Sequence, residues 1–390
     1  MYASRISRLT GSVAREILSH ANNKDIISFA GGLPGPEAFE GLEVSIEGTG
    51  SFQYGPSEGD QRLRACFAKR FQEKGIDCDY SQVLITSGAQ QGIDLVSKLF
   101  IEPGTHVVLE KPTYLAALQC FALFGASFES ISLNADGLDV DELDEVLGSK
   151  DIRFVYLSPS FQNPSGICYK LEKRKAIAEV LDRHEAVLIE DDPYSELNYA
   201  GVATDPICSF LKRAQWVYLS TVSKILAPGL RLGCLACSEA FFPYLLKLKQ
   251  ASDLHSNRLS EAIVLNWLED EAMMQARISE LRSIYRAKRD VMAESLDRHF
   301  TGLADWDIPK GGLFFWLRLK STASIRDLLQ CTLERGVAFM RGDPFFPQSE
   351  IGAGYLRLNF SNPPIESIDS GLKTLGEEIR LMFPVLEKSN

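Results

Sequence analysis

The sequence predicts an α/β protein: a three-layer αβα domain on a mostly parallel seven-stranded sheet, plus a smaller α+β domain formed by the N- and C-terminal parts. Three observations predict it. Between residues 83 and 237 short apolar runs alternate with helical segments, which is how parallel strands covered by helices read. After a long helical stretch the pattern changes to aromatic-rich strands and two further helices. The chain also has 390 residues, 45% of them hydrophobic, enough for two domains of roughly 100 to 200 residues each. We expect an N-terminal segment over 1–50, the large domain over 51–295 and the small domain over 296–390.

In chain order, residues 12–21 have helical spacing, with Val13, Ile17 and Leu18 on one side. An extended run from Ile26 enters the Gly/Pro loop 31–36, where a doubled glycine either admits a ligand close to backbone or simply turns. The turn-rich stretch 52–60 precedes a helix over 61–73. Strand 83–86, helix 89–100, strand 107–110 and helix 114–124 begin the alternation. Strand 128–133, helix 140–147, strand 153–157, helix 171–184 and strand 186–190 continue it, and strands 216–219 and 230–237 complete seven. Residues 241–300 read as helical, with Leu245, Leu248, Ile263, Leu265, Leu281 and Ile284 at helix-compatible spacings. Strands 312–319, 337–340 and 355–360 with helices 325–335 and 365–382 make the α+β module.

A net charge of −11 argues against a nucleic-acid partner. No run of about 18 apolar residues reads as a membrane span, and the opening M-Y-A-S-R-I-S-R-L-T lacks a signal-peptide core. A cytoplasmic protein without a membrane partner is expected. The eight cysteines, at 66, 78, 120, 168, 208, 234, 237 and 331, lack a secreted disulfide framework and are expected reduced. Cys234 and Cys237 form C-x-x-C, but in a strand residues three apart face opposite sides, and no second pair completes a zinc site. The five histidines show no ligand spacing, so no metal is expected.

Five stretches could carry chemistry. W-V-Y-L-S-T-V-S-K-I-L-A-P-G-L-R-L-G, residues 216–233, delivers Lys224 from a hydroxyl-rich turn holding Thr221 and Ser223, with Arg231 seven positions on. An amine between apolar segments is either drawn inward, with a lowered pKa and a nucleophilic free base, or snorkels to water. T-S-G-A-Q-Q-G, residues 86–92, sets a glycine between strand and helix, where free N–H groups suit a phosphate and a plain turn suits equally. It matches neither the ATP nor the dinucleotide glycine pattern. L-S-P-S-F-Q-N-P-S-G places Asn163 before a proline at the strand edge where open α/β sheets bind ligands, or forms a bare Asn-Pro turn. I-E-D-D-P-Y brings Asp191 and Tyr194 to the same edge, although three carboxylates in a row read by composition as a solvated loop. Arg357, in L-R-L-N-F, offers its fork to a carboxylate ligand or to an internal salt bridge.

Together these stretches resemble the fold-type I, pyridoxal 5'-phosphate-dependent aminotransferases of class I/II, particularly the branch of 2-aminoadipate and kynurenine aminotransferases. The matching motifs are R-E-I-L, S-F-A-G-G-L-P, Q-Y-G-P-S-E-G, S-G-A-Q-Q, K-P-T-Y, N-P-S-G, E-D-D-P-Y, S-T-V-S-K-I-L-A-P-G-L-R-L-G, G-G-L-F-F-W and L-R-L-N-F, spread over almost the whole chain. The resemblance implies pyridoxal phosphate as cofactor, bonded covalently to Lys224, which the incoming amino acid releases to move the Cα proton. Asp191 would keep the pyridine nitrogen protonated. Tyr194 and Asn163 would hydrogen-bond the ring oxygen, and Tyr114 would stack on the ring. Gly88, Ala89, Gln90, Thr221, Ser223 and Arg231 would hold the phosphate. Tyr54 would reach it from a second subunit, which implies a homodimer with shared active sites.

Arg357 would clamp the substrate α-carboxylate, with Gly32 and Asn163 beside it. Arg15 matches a position on the N-terminal helix where 2-aminoadipate aminotransferases present an arginine to a distal carboxylate, or it makes a surface i,i+4 pair. The implied reaction moves the amino group of an L-amino acid to a 2-oxo acid such as 2-oxoglutarate in a ping-pong cycle. Acidic donors are expected, while Tyr54, Tyr114, Phe314 and Phe345 would tolerate aromatic or branched ones. The same lysine also serves C–C lyases, decarboxylases and racemases, and related effector domains of transcription regulators bind the cofactor behind a helix-turn-helix of roughly 70 residues. Three departures stand out. Ala89 replaces a frequent serine, removing a hydroxyl contact worth about 1 kcal/mol. Thr221 replaces another serine and is expected still to donate, and the stretch 36–53 is shorter than in relatives, which suggests a more open mouth.

Overall fold

The computed structural model describes residues 2–9, 23, 25–42, 44–45, 50–320 and 324–382; the predicted helix over 12–21, with Arg15, lies outside them. Strand β1 (Ile27–Ser28) and helix α1 (Gln61–Glu73) lead into β2 (Val83–Thr86), α2 (Ala89–Phe100), β3 (His106–Lys111), α3 (Leu115–Phe124) and β4 (Ser127–Asn134). Then come β5 (Gly137–Leu138), α4 (Val140–Ser149), β6 (Ile152–Leu157), α5 (Leu171–His184), β7 (Leu188–Asp192), β8 (Trp216–Thr221) and β9 (Gly233–Cys237). Helices α6 (Phe242–Asp253), α7 (Arg258–Glu269) and α8 (Glu271–Phe300) follow. The last part holds β10 (Ala304–Trp306), β11 (Phe314–Leu319), α9 (Ile325–Glu334), β12 (Val337–Ala338), β13 (Met340–Arg341), β14 (Tyr355–Asn359) and α10 (Ile368–Met382).

The large sheet has the order β2-β9-β8-β7-β6-β3-β4-β5, with parallel pairing from β8 through β4. Strands β3, β6, β7 and β8 are largely buried on both faces, as parallel strands under helices must be, while β4 near the sheet edge is mostly half-buried. Val217 and Leu219 of β8 pack with Leu95 of α2, Phe121 of α3 and Leu245 of α6. Tyr218, between them, joins Phe67 of α1, Leu181 of α5 and Leu281 of α8. The two cores on either side of one sheet are the expected three layers. Cys234 enters one core and Cys237 the other, as strand alternation requires. Helix starts are fixed by short acceptors: Asp60 accepts from the Arg62 and Leu63 N–H groups, and Asp139 and Asn257 act likewise on α4 and α7.

Several expectations are corrected. An eighth strand, the two-residue β5, pairs antiparallel on the sheet edge, too short to show in an alternation pattern. β9 runs antiparallel to both neighbours and begins at Gly233, because Pro228–Leu230 forms a tight 3-10 turn and Arg231 is left-handed at φ 49°. The expected strand over 186–190 is displaced to Leu188–Asp192, so its three carboxylates lie in the sheet and not in a solvated loop. Each has a partner that makes burial tolerable. Glu190 accepts from the Ile207 and Cys208 N–H groups at 3.0 and 2.9 Å, and Asp192 accepts from Tyr218 and pairs with Lys74 at 3.3 Å. The helical stretch over 241–300 is three helices, broken where Leu254 takes φ 68° and where Asp270 caps α8.

The smaller sheet is antiparallel in the order β10-β11-β14-β13. The expected strand over 337–340 is split, since β12 pairs with β1 while β13 pairs with β14. The β1–β12 ladder, Ile27 opposite Val337, fastens the N-terminal loop to the C-terminal part. Packing explains the doubled glycine of G-G-L-F-F-W. A Cβ on Gly311 would lie 2.4 Å from the Leu197 carbonyl and 2.5 Å from the Phe161 ring. Among the described residues no helix is long and apolar enough to cross a membrane.

Candidate active site

The C-terminal ends of β6, β7 and β8, the β2–α2 turn, the loop at Gly31–Leu33 and β14 converge on a cavity of about 540 Å³. Parallel strand ends are where an open sheet leaves room for a ligand. Of the residues singled out in the sequence, Gly32, Gly88, Ala89, Gln90, Tyr114, Asn163, Asp191, Tyr194, Thr221, Ser223, Lys224, Arg231 and Arg357 all line it. Tyr54 does not: it is 79% exposed, and its ring meets His255 edge-on at 5.6 Å. Arg15 lies outside the described residues.

The turn after β8 aims Lys224 inward, where Nζ donates to the Gly32 carbonyl at 2.8 Å. Burial first, then the charges of Arg357 and Arg231, lower its pKa to about 8. Roughly a tenth of the amine is then free at pH 7, against well under a thousandth for an ordinary lysine. The inward alternative prevails over snorkelling, and an amine with that share of free base has the chemistry of a nucleophile or a base.

Asp191 faces the same cavity from β7. One carboxylate oxygen, Oδ2, accepts from the Tyr156 hydroxyl at 2.6 Å, while Oδ1 is buried with no hydrogen-bond partner among the described residues. Burial pushes the carboxyl up to about 7, the Tyr156 bond pulls it down, and Asp192 next to it pushes up again. A buried acceptor left open toward a pocket is a docking point for an N–H donor.

At the opposite end, Gly88 caps α2 with φ 79° and no side-chain cap, which leaves the helix N-terminus to an anion. A Cβ at Gly88 would lie 2.9 Å from Arg231 Nη2 and push the guanidinium off this turn, and the φ of 79° independently favours glycine. The Thr221 hydroxyl contacts Ser223 Oγ at 2.9 Å and the Leu232 carbonyl at 3.1 Å. Its proton is engaged inside the turn, and Ser223 is the freer donor of the two. Beneath the turn, Gln91 Oε1 accepts from the Ser87 N–H at 2.8 Å and from the buried Lys249 at 2.9 Å.

Arg357 enters from β14. Nη1 donates to Asn163 Oδ1 at 2.7 Å and Nη2 to the Ala30 carbonyl at 2.6 Å, with the guanidinium 4.2 Å from the Phe314 ring centre. It makes no ion pair among the described residues, so the internal salt bridge is not what holds it. Burial lowers its pKa to about 10. A buried cation with a planar fork and no ion pair among the described residues has the chemistry to receive a carboxylate. Asn163, before the cis bond to Pro164, also hydrogen-bonds Tyr194, whose phenol burial keeps protonated. Tyr114 is likewise pushed up to about 12 by burial.

Two features escaped the sequence. Tyr156 holds Asp191, and Glu110 joins the two loops of the rim. The Glu110 carboxylate accepts from Gln162 Nε2 at 2.8 Å, Tyr169 at 2.6 Å and the Ser158 N–H at 3.0 Å, while Gln162 also reaches the Pro112 carbonyl at 2.7 Å. The signal was a polar group inside an otherwise apolar run, V-V-L-E and F-V-Y-L, which demands a buried partner.

The sequence profile described as "Aminotransferase class I and II" matches residues 36–375. The aromatic-amino-acid aminotransferase 1 of Thermococcus litoralis is 34% identical over 97% of this chain and 94% of its own. The 2-aminoadipate transaminase of Thermus thermophilus is 35% identical over 96% and 95%. LysN, an alpha-aminoadipate aminotransferase from Thermus thermophilus solved with N-(5'-phosphopyridoxyl)-L-leucine, has a TM-score of 0.88 at 33% identity, covering 99% of this chain and 98% of that one. The cavity fits the same cofactor: an open carboxylate oxygen for a protonated ring nitrogen, a free amine for an aldehyde, a helix N-terminus for a phosphate. Likeness over nearly the full length and a pocket with that chemistry agree, and the chain belongs to the class I and II aminotransferases, as a fold-type I, pyridoxal phosphate-dependent enzyme acting on amino and 2-oxo acids.

Proposed function

We propose that Lys224 carries the cofactor and, once released by the amino acid, moves the proton between Cα and the cofactor. Pyridoxal phosphate supplies an aldehyde that condenses with amines and a ring that takes up the electrons of the broken Cα–H bond. Asp191 holds a proton at the ring nitrogen through its open oxygen. Tyr194 and Asn163 donate to the ring oxygen, and Tyr114 packs against the ring face. The N–H groups at Gly88, Ala89 and Gln90, with the Gln90 side chain, Ser223 and Arg231, bind the phosphate, and Thr221 supports them by holding Ser223 through its own hydroxyl. Arg357, beside Gly32 and Asn163, clamps the α-carboxylate and so fixes which Cα bond is broken. The observation that carries this reading is the buried Arg357 guanidinium, which has no ion pair among the described residues, in one cavity with an amine of lowered pKa.

For the donor we propose an acidic L-amino acid of the 2-aminoadipate or glutamate type, with 2-oxoglutarate as acceptor and Arg15 meeting the distal carboxylate. A second reading, aromatic or branched donors, is favoured by the apolar cavity residues Leu33, Leu115 and Ala116. Mixing the cofactor-loaded enzyme with single amino acids and quantifying 2-oxo acid and pyridoxamine phosphate separates them. Arg15→Ala should slow acidic donors far more than neutral ones; equal losses would remove the reason for preferring acidic donors.

We further propose a homodimer with shared sites, in which Tyr54 serves the partner's phosphate. Exposed Phe52, Tyr54 and Leu254 lie on or beside the Tyr54–His255 contact and support it. Mixing inactive Lys224→Ala with weakened Tyr54→Phe protein should restore activity through hybrid dimers, and no gain on mixing refutes the sharing. The division into 1–50, 51–295 and 296–390 is our reading too, supported by the β1–β12 pairing of the two chain ends. Eight free thiols suit a cytoplasmic, reducing compartment.

A further inference from the structure

Asp191 can serve a ring nitrogen only if its free oxygen keeps its direction and its charge. The strand register pairs Tyr156 of β6 with Ile189 of β7, and Asp191, two residues on, shares the face of Ile189. The Tyr156 side chain is fully buried, and Phe121 of α3 holds its ring edge-to-face at 5.4 Å. Its hydroxyl meets Asp191 Oδ2 at 2.6 Å, which leaves Oδ1 buried with no hydrogen-bond partner among the described residues, on a residue that lines the cavity. We propose that Tyr156 is a positioning residue for the cofactor ring: its hydroxyl pins one oxygen of Asp191 so that the other stays open and anionic for the proton on the ring nitrogen. The inference rests on the role given to Asp191 above.

The surroundings make such a donor necessary. Asp192 on the same strand, Glu110 on β3, and Tyr114 and Tyr194 at the rim all interact electrostatically with Asp191. None of these is a cation. Without the phenol, burial and Asp192 would act on the carboxylate unopposed, and its protonated form would gain. The phenol itself stays a donor, because burial and the facing Asp191 raise its pKa well above the usual value. A short hydrogen bond to an anion inside a dry core is among the stronger ones.

The test uses holoenzyme and two cofactors, pyridoxal phosphate and its analogue with carbon in place of the ring nitrogen. Tyr156→Phe keeps the packing and removes the donor. With the natural cofactor it should raise the cofactor dissociation constant about tenfold and lower kcat about tenfold, with KM within about twofold. With the carbon analogue, parent and variant should agree in cofactor affinity. Equal losses with both cofactors would make Tyr156 a structural brace, and no loss with either would make the hydroxyl idle; both overturn the proposal. Asp191→Asn is run alongside. If its loss is the same with either cofactor, the role of Asp191 has failed, and the proposal falls with it for a separate reason. Should Tyr156→Phe not fold, 3-fluorotyrosine at position 156 keeps the ring and makes the phenol more acidic. It should move the pH midpoint of the bound cofactor's absorbance with the natural ring alone, and an unmoved midpoint overturns the proposal.

Discussion

Replacing Lys224 by methionine should stabilise the cofactor-free protein at neutral pH, because the pocket holds the lysine's charge at a loss. The native amine titrates at about 8 in place of 10.5. At about 1.36 kcal/mol per pH unit, that gap amounts to about 3 kcal/mol, and the open pocket's solvent reduces it to about 2 kcal/mol. Below pH 8 the amine is charged in both folded and unfolded chains, and the parent bears the full penalty. Between about 8 and 10.5 the native amine is already neutral while the unfolded one is still charged, so the penalty fades as pH rises and is gone above 10.5. Loss of the bond to the Gly32 carbonyl subtracts about 1 kcal/mol from the variant at every pH. Urea unfolding of parent and Lys224→Met from pH 6.5 to 10.5 reads the difference. The variant's advantage should fall from about +1 kcal/mol near pH 6.5, through zero, to about −1 kcal/mol at high pH. A difference that is flat, or that grows with pH, would refute the buried, depressed amine.

Arg357→Gln should lower kcat/KM for every amino acid by at least about a hundredfold, roughly 3 kcal/mol, without changing cofactor affinity. Steady-state kinetics with a cofactor titration checks it. Gly88→Ala forces a methyl toward Arg231 Nη2 at 2.9 Å and strains φ 79°, so the cofactor dissociation constant should rise while the cofactor-free fold loses only about 1–2 kcal/mol. Equilibrium dialysis against pyridoxal phosphate measures the first part and chemical denaturation the second. Gly311→Ala drives a Cβ against the Leu197 carbonyl and Phe161 and should destabilise by at least about 2 kcal/mol, seen as a lowered unfolding midpoint.

The alternating pattern located the large sheet well because periodicity depends on burial, and burial on both faces leaves long apolar runs such as V-L-I-T and W-V-Y-L. It missed β5, which is two residues long, and the antiparallel sense of β9, since direction leaves no mark on composition. The family resemblance, added to motif chemistry that by itself left a second use open for the lysine, the aspartate and the arginine, named thirteen residues that line one cavity. Asp191 was misjudged by composition: three acids in a row look solvated, and only the pairing of β6 with β7 shows Tyr156 waiting for the middle one. Thr221 lines the cavity as expected, but its hydroxyl bonds within its own turn, and a sequence cannot say which acceptor lies nearer.

Borohydride reduction of the cofactor-loaded enzyme, followed by protease digestion and mass spectrometry, tests the central claim most directly. The account predicts one phosphopyridoxyl adduct, on the peptide carrying Lys224, lost when an amino acid donor is added before reduction. An adduct spread over surface lysines, or none on Lys224, would contradict it.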